Sequence, residues 1–155
     1  MKPLHARTYQ ALTLVLSLIL LALIGKFFIG SNTSTAEDGR QAISLTANEA
    51  ALIRSDMRLF LTAVQGITQG IAEDDMAKVA EAAKEIGSDQ NRAAPITLMA
   101  KLPPEFRKLD FALHGEFEVI ATQAEADDKA ALLGLLSNIL QRCNRCHEGF
   151  TLKTE

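Results

Sequence analysis

The 155-residue chain has no tryptophan, one tyrosine, four prolines and two cysteines, and neither charge dominates it. Sixteen basic residues stand against 19 acidic ones, a formal net charge of −3. Two cysteines are too few for a disulfide scaffold. A chain without basic excess excludes a nucleic-acid binder driven by phosphate neutralisation. At 48% hydrophobic and 23% charged residues, the composition fits neither a disordered acidic tail nor a collagen-like chain. What is left is room for one domain of ordinary size. Both cysteines, Cys143 and Cys146, fall within the last thirteen residues.

Residues 1–30 read as an address or an anchor rather than as part of the fold. Lys2 and Arg7 precede an uncharged stretch from Thr8 to Gly25 with an apolar core, Ala11 to Ile24; Lys26 interrupts it and Phe27 to Gly30 resume it. Two readings meet this pattern. A cleaved signal peptide would have a basic start, the apolar core and a small-residue site at Ser34-Thr35-Ala36. A transmembrane anchor would use about twenty apolar residues, with Lys26 snorkelling outward. The candidate cleavage site lies far beyond the core, which favours the anchor. Lys2 and Arg7 keep the N-terminus cytoplasmic, so everything after Gly30 is exported. All 19 acidic residues lie there, and the exported part carries a formal charge of −6. The expected location is the periplasmic side of a bacterial inner membrane, anchored, or the soluble periplasm after cleavage.

Residues 31–43 are predicted to be a polar linker, small and polar from Ser31 to Gly39. Four helical segments follow in 44–155. The first runs from about Thr46 to Ile71: Thr46-x-x-Glu49 fits a capping box, and Ile53, Met57, Phe60, Val64, Ile67 and Ile71 form one apolar stripe. Gly66 and Gly70 share a face and suit close helix approach. The second runs from about Asp74, a candidate cap, to Ile86, with Gly87 as its stop. A loop from Ser88 to Leu102 leads to the third, about Pro104 to Ala126, with Pro104 in the first turn and Phe106, Leu109, Leu113, Phe117 and Ile120 as its stripe. The fourth begins at Asp127 or Asp128; Leu132, Leu136, Ile139, Leu140 and Cys143 carry it to the cysteines. No strand is expected. The fold class is all-α: an antiparallel four-helix bundle preceded by the N-terminal transmembrane or signal helix.

Cys143-Asn144-Arg145-Cys146-His147 is a C-x-x-C-H run, the pattern of covalent c-type haem attachment. Residues three and four apart share a helix face, so both thiols can form thioethers with one haem while His147 presents an imidazole to the iron. Three other chemistries use similar residues. A thioredoxin-like C-x-x-C opens a helix after a strand, whereas this one closes a helix. A zinc site needs a fourth ligand, which His114 could supply at an unusual spacing. A structural disulfide on an anchored interaction bundle is the third. No general acid–base or nucleophile constellation stands out, so the chain is not read as an enzyme.

With the motif at the end of the fourth helix, Phe150 three residues after His147 and a Leu102-Pro103 entry to the third helix, the chain resembles the class II c-type cytochromes, the cytochrome c′-like group. The resemblance covers about Ser44 to the C-terminus. It implies one covalent haem c per chain, bound by Cys143 and Cys146 with His147 as proximal ligand, and one-electron transfer with redox partner proteins. The family commonly has an arginine after the aromatic; here Thr151 follows Phe150. Low-spin relatives ligate the iron with a first-helix methionine, and Met57 is near the matching position. If an apolar residue closes that side instead, the resemblance implies a five-coordinate protein that binds nitric oxide or carbon monoxide. Met76, Met99 and His114 are weaker ligand candidates, and Arg54 and Arg58 are candidates for the haem propionates. Members often dimerise through their first two helices, and Gly66 and Gly70 are compatible with a homodimer.

Overall fold

The structure is a computed structural model and describes residues 4–29, 32–87, 94–126 and 128–155. The first element is α1 (Leu4–Ile29), which carries apolar residues on all sides between Thr8 and Gly25. Its segment Thr8–Gly25 has mean hydropathy 2.0, is long enough to cross a membrane and has no buried residue. A helix with no polar face has no reason to choose one side for a soluble core.

The rest of the chain is mostly helical, as the periodicity predicts. Helix α2 (Ala47–Glu73) starts at the expected capping box. The Thr46 hydroxyl accepts from Glu49 N–H (3.3 Å), and the Glu49 carboxylate accepts from Thr46 N–H (2.9 Å). Lys101 also pairs with Glu49 at 2.8 Å, and these partners, Lys101 first, hold the Glu49 carboxyl below its ordinary value. The boundary after α2 is one residue from the expected cap. Asp74 ends α2 in the left-handed region (φ 62°), which Asp tolerates better than most residues, and it is Asp75 whose side chain accepts from Lys78 N–H to start α3 (Met76–Lys84). The expected loop 88–102 holds a single turn, α4 (Ile96–Met99); Ser88 lies outside the described residues. Helix α5 (Pro104–Gln123) starts on Pro104 and runs into a 3₁₀ turn, Ala124–Ala126. Asp128 caps α6 (Lys129–Gly149) by accepting from Ala131 N–H; Asp127 lies outside the described residues.

Residues of α2, α3, α5 and α6 share one apolar cluster, with Ile67, Val79, Phe117, Ile120, Leu132 and Ile139 fully buried. Leu140, expected on that inner face, is 45% exposed. Gly66 and Gly70 face α3 of the same chain. A Cβ on Gly66 would lie 2.8 Å from Ala82 Cβ, and one on Gly70 would lie 2.7 Å from Val79 Cγ2 and 3.0 Å from the Asp75 carbonyl oxygen. The two glycines are used in this contact and give no support to a dimer.

Strands are the departure from the all-α expectation. The segment read as linker contains β1 (Thr33–Thr35) and enters β2 (Gln41–Leu45), and the chain ends in β3 (Phe150–Thr154). The sheet order is β1-β2-β3, antiparallel between β1 and β2, parallel between β2 and β3. Gly39, with φ 86°, turns the chain between β1 and β2. Pairing Ile43 with Leu152 and Leu45 with Thr154 buries Ile43 and Leu45 in a second apolar cluster with Ile53, Leu98, Leu102 and Phe106. Each strand is too short to carry a clear alternation, and β2 and β3 come from opposite ends of the domain.

Candidate functional site

Helix α6 delivers the C-x-x-C-H run in its last two turns, and β3 follows without a connector. Both cysteines are free thiols of intermediate exposure. Cys143 packs against the first apolar cluster and Cys146 against the second. Between α2, α5 and the α6–β3 junction lies a cleft of about 470 Å³. It is lined by Cys146, His147, Phe150, Thr151 and Leu152 from α6 and β3, by Ile53, Arg54, Met57 and Arg58 from α2, by Phe106 from α5 and by Arg40; Cys143 is not part of this lining. Phe106 meets Phe150 edge to face, with centroids 5.5 Å apart. Met57 touches both apolar clusters, which puts it at the seam the cleft opens.

Burial raises both thiol pKa values. For Cys146 desolvation, then the charges of Asp110 and the other thiol, push it up to about 11. Cys143 is raised by desolvation first, with Glu116 adding to it. Redox-active C-x-x-C motifs lower a thiol pKa at a helix N-terminus; these thiols sit at the other end, where the helix dipole disfavours a thiolate as well. Asp110 is also raised, mainly by desolvation and further by Asp56, with His114 pulling the other way.

His114 is engaged elsewhere. Its Nδ1 lies 2.6 Å from the Ile86 carbonyl oxygen, and its ring meets Phe60 edge-on at 5.1 Å; it does not line the cleft. Met76 packs on the first cluster and Met99 on the second, also away from the cleft lining. Among the described residues no three His, Cys, Asp or Glu side chains converge as a metal site would require. The cleft thus gathers Met57, Cys146 and His147 from the sequence candidates, together with Arg54 and Arg58. It adds Ile53, Phe106 and Arg40. Ile53 and Phe106 were legible as stripe residues, but Arg40 carried no local signal. Compared with known proteins, the chain matches no family model, no curated protein and no solved structure.

Proposed function

We propose that the protein is a membrane-anchored monohaem c-type cytochrome that transfers single electrons from the exported side of the membrane. In this proposal α2, α3, α5 and α6 form an antiparallel four-helix bundle around one covalently attached haem c. The observation that carries it is that Cys146 and His147 of the C-x-x-C-H run line one cleft together with Met57, Ile53 and Phe106, while Cys143, one helix turn earlier, packs on the first apolar cluster beside it.

The donor set fits such a group. Two free thiols share one face of α6, and the next residue is a histidine. The cleft volume falls within the roughly 300–1,000 Å³ of ordinary cofactor pockets. Each thiol would add across a vinyl group, sulfur to one carbon and hydrogen to its neighbour, so the attachment consumes no oxidant. His147 of α6 and Met57 of α2 would ligate its iron. Ile53, Phe106 and Leu152 would keep water from the group, and Arg54 and Arg58, exposed on α2, would face its carboxylates. When bound, haem supplies a reversible one-electron couple whose potential depends on axial ligands and burial.

Anchoring is supported by where the domain begins. Asn32 N–H donates to the Lys101 carbonyl (3.3 Å), its Nδ2 donates to the Ser44 carbonyl (3.3 Å), and its own carbonyl accepts from Ser44 N–H (2.8 Å). Cleavage after Ala36 would discard these bonds and all of β1. Three Cα steps separate Ile29 from Asn32, a reach of at most about 11 Å, so an uncleaved α1 would hold the domain close to the bilayer.

The test is expression of the full chain in a host with a haem-attachment system. A red protein whose haem survives denaturation and that stays in the membrane through alkaline extraction is the expected result. A colourless protein overturns the proposal. In a red protein, ready carbon monoxide binding by the reduced form would replace electron transfer with the gas-binding reading.

A further inference from the structure

Arg40 stands in the β1–β2 hairpin, next to the first residue of β2, and reaches across the sheet to the end of α6. Its Nη1 donates to the His147 carbonyl (3.3 Å) and to the Phe150 carbonyl (3.4 Å). Its Nε donates to Asp38 (2.7 Å), and Nη2 lies 2.6 Å from the same carboxylate. The last carbonyls of a helix have no partner within the helix and carry the negative end of its dipole. Cys146 has its carbonyl satisfied by Phe150 N–H; the next carbonyl, that of His147, is met by a residue 107 positions away. The Asp38 pair is solvent-accessible, and such pairs stabilise little by themselves. Its effect is to hold the planar fork of the guanidinium in the one orientation that meets both carbonyls.

We propose that Arg40 is a positioning residue for His147, fixing the backbone that presents the imidazole and setting a positive charge on the cleft wall beside it. The proposal rests on the haem reading above. It makes the hairpin a working part of the site rather than a spacer between membrane and domain. A cation on the wall favours the electron-richer state of a redox centre in the cleft. Asp38, farther from the cleft, partly offsets it.

The test uses the full-length holoprotein and the variants R40Q, R40K and D38N. R40Q is expected to shift the redox equilibrium toward the oxidised form by up to about tenfold, which is about 59 mV for a one-electron couple, and to broaden the low-temperature electron paramagnetic resonance signal of the oxidised iron. D38N is expected to shift the equilibrium the other way by a smaller factor. R40K should recover much of the equilibrium shift while the signal stays broad, because one ammonium keeps the charge and loses the fork. A red protein whose potential and signal are unchanged in R40Q overturns the inference and leaves the haem reading standing. Equal shifts of the same sign in R40Q and D38N also overturn it, since they indicate general loosening of the sheet. Should R40Q fail to fold, D38N still decides by the sign of its shift and R40K by its signal: a D38N shift toward the oxidised form, or an R40K signal as narrow as that of the wild type, overturns the inference. A colourless wild-type protein removes the haem reading and this inference with it.

Discussion

The two halves of the domain that follows α1 are packed on different principles. Where α2 meets α3, contact is so close that a Cβ at position 66 or 70 would force a neighbour to shift, and Phe117 stacks on Phe60 with no exposed surface. Around the end of α6, Cys143, Cys146, Met57 and Phe150 are only partly buried, His147 is exposed, and a cleft opens along the second apolar cluster. Close-packed interiors feel a change of one methylene, so the first half should answer substitution with stability. The second half holds the side chains with chemistry and should answer with what it binds. The division runs along α2, from Met57 at the cleft to Gly70 at the tight end.

The largest effect expected at the open half is from the double variant C143A/C146A. Expressed with a haem-attachment system it should lose all covalently held haem, measured by haem-dependent peroxidase staining of a denaturing gel; undiminished staining would show that the motif is not the attachment site. Next is Met57→Ala, which should convert a low-spin absorption spectrum to a high-spin one while leaving attachment intact. An unmoved spectrum rejects Met57 as the sixth ligand. At the tight half, Gly70→Ala should overpack against Val79 and the Asp75 carbonyl. Overpacking costs about 1–3 kcal/mol, and the gain in helix propensity from Gly to Ala, about 1 kcal/mol, offsets part of it. The expected net loss is about 1 kcal/mol by urea denaturation, with haem content unchanged. Gly66→Ala, which meets only a side-chain methyl, should cost less.

The smallest effect sharpens the comparison through pH. Asp110 has its pKa raised by burial beside the thiols. A carboxyl with a raised folded pKa stabilises the fold fully below its unfolded value, about 3.9, and that contribution disappears as pH rises through the folded value. D110N should therefore raise the melting temperature by a few degrees near pH 7 and make no difference near pH 3. The opposite sign holds for Glu49, whose pKa is lowered by Lys101 and Thr46. Its contribution is present above the unfolded value and is lost as pH falls through the lowered one. A D110N advantage independent of pH would mean that the carboxyl is not desolvated.

Much of the fold was legible because its signals are local. The Thr46–Glu49 capping box needs two residues three apart, and it was read correctly. The cap between α2 and α3 was misread by one residue because Asp74 and Asp75 both suit a helix end, and only the backbone shows that Asp74 takes the left-handed turn. The strands escaped for a different reason: β2 is a strand because Phe150–Thr154 lies beside it, more than a hundred residues later in the chain. Arg40 belongs with them, since nothing adjacent to it in sequence hints at the His147 carbonyl. Gly66 and Gly70 sit between these cases. Their shared face was visible, but the partner on that face was not.

Residue spacing alone therefore determined the apolar N-terminal helix, the helical segments and their inner stripes, and the co-facial thiols followed by a histidine. These depend on interactions within one or two helix turns, which chain order fully specifies. Only the tertiary structure decided that Met57, Ile53 and Phe106 line one cleft with His147, that His114 turns to Ile86 instead, and that a hairpin arginine caps the last helix. Those are meetings of segments far apart in the chain. Their outcome depends on how whole helices and strands fill space together, and no short run of residues encodes that by itself.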